Sequence, residues 1–181
     1  RTWKDLRGKR FSMISHTTAA DLFPEVWFRR HGVGEPDRFL AKRIDAGSHE
    51  TSVNMVLAGE ADAGAAKDLV FNRLAAVNPR VEAELVILAE SDPVPDNALA
   101  IRSETHLVCT NCHQGDEGAG LKQGTLKERL TWALLELENT PDGEDILRAI
   151  GADRFIVTDD GEYANLYRMA EELGLDLSEG R

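Results

Sequence analysis

The stretch from Gly47 to Ala65, GSHETSVNMVLAGEADAGA, constrains the fold more than any other. Val53, Val56 and Leu57 recur at helical spacing with Met55 beside them, which predicts a helix over 49–58 with one apolar stripe. Ser48 is placed to cap its start and Gly59 to end it. Residues 61–66 then read as a small buried strand, whose small side chains let the helix press closely on a sheet. A loop–helix–strand unit of this kind aims polar groups toward the carboxyl edge of a sheet, where open α/β folds bind ligands.

The surrounding chain keeps that rhythm. Residues 10–14 alternate as a strand, and an amphipathic helix over about 18–31 carries Leu22, Val26, Trp27 and Phe28. After the break at Gly32-Val33-Gly34-Glu35-Pro36, 39–44 reads as a second strand, 69–77 as a helix, 81–88 as a strand rich in Val, Ile and Leu, and 98–101 as another strand. Alternation at this spacing predicts βαβ units around a mainly parallel sheet. The turn-rich connector at 91–96 marks a boundary between an α/β lobe over 1–96 and a second part over 97–181. In the second part Leu126, Leu130, Leu134 and Leu137 line one helix face, and Pro141 suits the start of another helix carrying Ile146, Leu147 and Ile150 up to Gly151. Residues 155–157 read as a short buried segment, and 163–173 as a last helix ended by Gly174. Trp27, Phe28 and Trp132 are expected in the core, and His31 is expected to close the first long helix against its dipole.

At 181 residues, 42% hydrophobic and 29% charged, the chain fits one or two small globular domains. A net charge of −11 with no offsetting basic stripe argues against a nucleic-acid partner. No apolar run approaches the roughly 18–20 residues that span a bilayer. The chain opens on Arg1 with no Met or signal peptide, the form of a processed or truncated piece. Thr17 and Thr18 fall at a strand-to-helix turn, where hydroxyls and N–H groups converge; they serve either to cap the helix or to hold an anion.

Several short motifs carry a resemblance. They are Leu6-Arg7-Gly8-Lys9-Arg10-Phe11, Thr17-Thr18 before Leu22-Phe23-Pro24, Gly47-Ser48-His49-Glu50 and Gly59-Glu60-Ala61-Asp62-Ala63. Glu90-Ser91-Asp92-Pro93-Val94-Pro95, Pro141-Asp142-Gly143 and Ile150-Gly151-Ala152-Asp153-Arg154-Phe155 continue the pattern. Together they resemble the periplasmic substrate-binding proteins of phosphonate, phosphite and phosphate ABC transporters. The resemblance implies a type II periplasmic-binding-protein-like α/β fold: a doubly wound lobe, followed by the C-terminal helical part of the other lobe. It implies a periplasmic protein that is not an enzyme, binding an oxyanion through Thr17, Thr18 and His49, with Asp68 near an acidic position that meets a ligand's amino group. An ABC permease or a sensor is the implied partner. The hydroxyl-rich run of the family reads Thr17-Thr18-Ala19-Ala20 here, and its first half-domain has no counterpart. The leucine stripes of 125–173 are therefore expected to pack on a partner, on an unseen segment or on another copy in an oligomer.

Residues 104–124 interrupt the pattern. Cys109-Thr110-Asn111-Cys112-His113 matches the attachment signature of a c-type haem, with two thiols spaced to add across two vinyl groups and His113 as axial iron ligand. A disulfide is the alternative, or a zinc site if His106 joins. Two functions follow: a solute-binding protein carrying covalent haem c, or a haem c redox or sensor protein that uses the binding fold as scaffold. No Ser-His-Asp set or paired carboxylate stands out for hydrolysis.

Overall fold

The computed structural model describes residues 2–95, 98–101 and 125–176. The chain forms two compact units, one of Arg1–Val94 with Tyr163–Arg181 and one of Pro95–Glu162.

The first unit is built on β1 (Arg10–Met13), β2 (Lys42–Asp45) and β3 (Ala63–Gly64), all parallel, in the spatial order β2-β1-β3. Arg10 lies opposite Lys42 and Met13 opposite Asp45, while Phe11 and Ser12 face Ala63 and Gly64. The chain leaves β1 to one side for β2 and then crosses back to β3 on the other side. That order makes the carboxyl edge of β1 and β3 a switch point. Between β1 and β2 run a wide π-helical turn (Thr18–Leu22), α1 (Phe23–Arg30) and the single turn α2 (Pro36–Phe39). Between β2 and β3 runs α3 (His49–Leu57), and after β3 come α4 (Asp68–Val77) and α5 (Pro79–Glu84).

The two faces of the sheet are packed differently because neighbouring strand residues point to opposite sides. Phe11 and Met13 join Leu6, Phe28, Val33, Phe39 and Leu40 in the apolar core, with Phe11 edge-on to Phe28 at 5.7 Å between centroids. Ser12, wholly buried, faces α3, where its hydroxyl reaches the Met55 sulfur at 3.8 Å. Buried Ser52 of α3 donates to the Ala65 carbonyl at 2.9 Å, and a Cβ on Gly64 would stand 2.9 Å from that serine oxygen. Small residues thus let α3 sit close on β1 and β3, as the sequence leads one to expect. Trp27 and Phe28 belong to or border the core, and the His31 ring donates from Nδ1 to the Trp27 carbonyl at 2.7 Å, closing α1.

At the amino edge, Arg10 clamps β1 to the approach of β3. Its Nε and backbone N–H donate to Asp62 Oδ2 at 3.0 and 2.8 Å, and Nη2 reaches the Gly59 carbonyl at 2.9 Å. These bonds, the guanidinium's first, hold the Asp62 carboxyl down at about 2. A carboxylate held below its unfolded value stabilises the fold above about pH 4, and the contribution is lost as pH falls through 2. Asp62→Asn is expected to lower the urea midpoint at pH 7, with the gap to wild type closing toward pH 2. A gap unchanged over that range would show that the clamp does not act through charge.

Three expectations about strands and helix placement are corrected. Residues 81–88 are not a strand: Asn78 caps the Arg80 N–H, Pro79 takes the first helical position, and α5 carries buried Val81. Val86 and Ile87 beyond it are 61% and 55% exposed and pair with no described strand. Residues 98–101 also form no strand. The last helix, α8 (Ala164–Leu173), was expected in the second part over 97–181; it belongs to the first unit, against α1 and the π-helical turn. Its Met169 and Ala170 are buried, and Arg30 forks onto Glu172 at 2.9 and 2.7 Å.

The second unit contains α6 (Leu126–Leu135), a 3₁₀ turn (Leu137–Asn139) and α7 (Gly143–Ile150). Thr125 and Glu128 cap α6 reciprocally, and Gly151 ends α7 at φ +71°. Leu147 is buried, while Leu130, Trp132, Ile146 and Ile150 are exposed, so Trp132 is not a core residue. Residues 155–157 are not a buried segment either, because Ile156 and Val157 are 63% and 73% exposed. Among the described residues no helix is long and apolar enough to cross a membrane.

Candidate functional site

Every connection that leaves the carboxyl edge of the sheet enters a helix. The turn after β1 holds Ser15 to Thr18, the turn after β2 holds Ala46 to Ser48 before His49, and the turn after β3 holds Ala65 to Lys67 before Asp68. Thr17, Thr18, His49 and Asp68 therefore lie along one edge, in the first unit alone.

The helical run from Thr18 to Arg30 opens on Thr17. Its Oγ1 donates to the Ile14 carbonyl at 2.8 Å and accepts the Ala20 N–H at 3.3 Å. The Thr17 carbonyl accepts from Asp21 and Leu22 at 3.1 and 3.0 Å. The single hydroxyl proton of Thr17 is thereby committed, and the residue is a helix cap. The N–H groups of Thr18 and Ala19 have no acceptor within the helix, so they present positive partial charge at this edge.

At α3, Ser48 accepts the Thr51 N–H at 3.0 Å and also bonds the Thr51 hydroxyl at 2.8 Å. His49 follows, half-buried, with Nδ1 accepting the Lys67 N–H at 3.3 Å. In the neutral ring this bond puts the proton on Nε2, making His49 a donor there. It also ties the start of α3 to the residue that precedes α4. Asp68 is exposed at the first position of α4. Glu50 and Arg73 link the two helices at 3.7 Å.

Two features of this edge were not singled out from the sequence. Ser15 donates to Asp45 Oδ2 at 2.6 Å and the Gly47 N–H to Oδ1 at 2.9 Å. The serine bond first, then the Gly47 N–H, with the His16 charge adding, lower the Asp45 carboxyl below its ordinary range. His16 is left-handed at φ +62°, its N–H held by Asp21 Oδ2 at 2.8 Å. The register of β1 with β2 brings Ser15 to Asp45, and the sequence carries no local signal for either feature.

Chemically the edge offers hydrogen-bond donors: helix N–H groups, a threonine hydroxyl and an imidazole. Such donors suit binding a compact anion. Among the described residues no cluster of His, Cys, Asp or Glu is placed to hold a metal ion. Cys109, Cys112 and His113, and His106 with them, lie outside the described residues.

An open α/β unit with donors gathered at its switch-point edge has the architecture in which such folds bind ligands. The family model for the ABC transporter, phosphonate, periplasmic substrate-binding protein matches residues 1–163, and the chain belongs to that family. Its fold is similar to that of PhnD1 from Prochlorococcus marinus, solved in complex with methylphosphonate, with 23% identity and a TM-score of 0.68. It is also similar to a Xanthomonas citri protein bound to chloride ion, with 17% identity and a TM-score of 0.63. The alignments cover 94% and 96% of this chain, which spans 59% and 60% of the length of those two. No curated protein matches the chain by sequence.

Proposed function

We propose that the protein is an extracytoplasmic solute-binding protein that takes a phosphonate-, phosphite- or phosphate-like oxyanion and presents it to an ABC permease or a sensor. Beyond the family itself, the observation that carries this reading is the His49–Lys67 bond. It turns a half-buried imidazole into a donor at the start of one helix, along the edge where another helix leaves two N–H groups unbonded. Thr18 and His49 act on the anion's oxygens, Thr17 shapes the turn, and Asp68 stands where a ligand's ammonium group would be met. A covalent haem c on Cys109 and Cys112, with His113 on the iron, is the second part of the proposal. It is supported by the thiol spacing and the adjacent imidazole in a family named for the periplasm.

Calorimetry with methylphosphonate, phosphite and phosphate tests the first part, and intact mass with a pyridine haemochrome spectrum tests the second. Saturable binding of one or more oxyanions is expected, together with a haem-sized mass increment in protein made where haem is attached. Haem without oxyanion binding favours the redox or sensor reading, in which the fold is only a scaffold. A bare polypeptide mass leaves a disulfide or a zinc site for the cysteines.

A further inference from the structure

The helical run that opens on Thr17 starts wide. The Leu22 N–H donates to the Thr17 carbonyl at 3.0 Å and the Phe23 N–H to the Thr18 carbonyl, each reaching five residues back. Pro24 accounts for part of this. It has no N–H to give the Ala20 carbonyl four residues earlier, and that carbonyl turns out of the helix to accept from the Ile14 N–H at 3.3 Å. The turn is thereby tied to the end of β1, and Ala20 is wholly buried. Single π-helical turns of this kind are rare and recur at functional sites.

The wide turn carries a charge that works against an anion. Asp21 reaches back to the His16 N–H with Oδ2 at 2.8 Å, so its carboxylate lies at the positive end of the helical run. A negative charge there favours the helix dipole and repels any anion drawn to the same end. Arg43 meets that charge from β2. Its Nη2 lies 3.3 Å from Asp21 Oδ1, while Nη1 reaches Glu25 of α1 at 2.6 Å and Asp37 of α2 at 3.4 Å. Its Nε donates to the Met13 sulfur at 3.1 Å. One guanidinium thus links β2 to β1, the wide turn, α1 and α2. The Arg43 and Asp21 side chains are 25% and 26% exposed, so solvent screens the pair only in part.

We propose that Arg43 is a positioning residue of the oxyanion site: it holds the wide turn against β2 and cancels the Asp21 carboxylate at the end where the anion is drawn. The inference rests on the solute-binding reading above. Arg43 does not touch the ligand. It acts through Asp21, whose charge the ligand meets in full only when the guanidinium is gone.

The test is a double-mutant cycle on the full chain. Calorimetry with methylphosphonate, phosphite and phosphate is paired with thermal unfolding of wild type, Arg43→Gln, Asp21→Asn and the double variant. Arg43→Gln uncovers the Asp21 charge and is expected to weaken oxyanion affinity by about tenfold, the scale of one added unit charge near a ligand at a protein surface. Asp21→Asn keeps an acceptor for the His16 N–H and removes the charge. It is expected to lower Tm yet raise affinity about threefold, a pairing of signs that a merely structural contact does not produce. The double variant is expected to bind within about threefold of wild type, because the charge that Arg43 cancelled is gone. Additive losses, or an Arg43→Gln variant that binds within about twofold of wild type, overturn the inference and leave the site reading standing. An Asp21→Asn variant that binds no tighter than wild type overturns it too, and decides alone where Arg43→Gln does not fold. Absence of binding by wild type to all three anions overturns both, and it is seen before any substitution is made.

Discussion

Gly143→Ala is expected to open the second unit. Gly143 is buried at the first turn of α7, and a Cβ there would overlap the carbonyl of Leu137, standing 2.6 Å from its carbon. These are main-chain atoms of a turn already tied at both ends. The Gly143 N–H donates to the Thr140 carbonyl at 3.0 Å, and the Thr140 hydroxyl donates to the Leu137 carbonyl at 2.9 Å. No rotamer change makes room, so the 137–143 turn must unfold away from α7 and give up both bonds. Overpacking of this kind costs about 3 kcal/mol or more, a large part of a small domain's stability. Denaturant unfolding followed through Trp132, which sits in this unit, should show the loss. Trp132 emission with an unchanged midpoint would mean that the turn yields more cheaply than its geometry allows.

His49→Ala should carry the largest effect on ligand affinity. It removes a donor that the Lys67 N–H has already oriented, and a hydrogen bond to a charged group is worth about 1.5–3 kcal/mol, roughly 10- to 150-fold in Kd. The Ser48 cap on Thr51 does not involve the ring, so α3 should keep its start. Thr17→Ala should behave in the opposite way. It removes the cap on Ala20 and the bond to Ile14, costing about 1 kcal/mol of stability, while the anion loses no side-chain donor. Calorimetric titration paired with a melting curve on each variant separates the two roles. Equal losses of affinity in both would return Thr17 to the set of ligand contacts.

The parts legible in the sequence were those with local causes. Ser48 announces a helix start, Gly151 and Gly174 announce helix ends, and the strand–turn–helix order places Thr17, Thr18, His49 and Asp68 on one edge. Strand identity at 81–88 was not legible, because Val, Ile and Leu make a strand only where a partner strand offers its hydrogen bonds. There the Asn78–Pro79 cap decided for a helix instead. Trp132 failed for a related reason: helical spacing shows which residues share a face, and what that face meets is set elsewhere in the chain. The committed proton of Thr17 and the left-handed turn at His16 depend on backbone conformation and strand register. Residue identity alone does not encode either one.

The contact between Arg30 and Glu172 spans 142 positions of sequence, and it bears on the order in which the protein is made. The core residues around Phe28 of α1, from Leu6 to Leu40, lie near it in the chain, so the sheet and its first helices can assemble early in synthesis. Met169 and Ala170 arrive only after all of Pro95–Glu162 has left the ribosome. Until then the surface of α1 that they cover stays open to solvent and to other chains. Closing so long a loop adds little extra entropy per residue but delays the contact. A nascent chain stalled before Tyr163 should therefore hold a three-stranded sheet whose outer helix is still exposed, the interval in which a chaperone would be needed most.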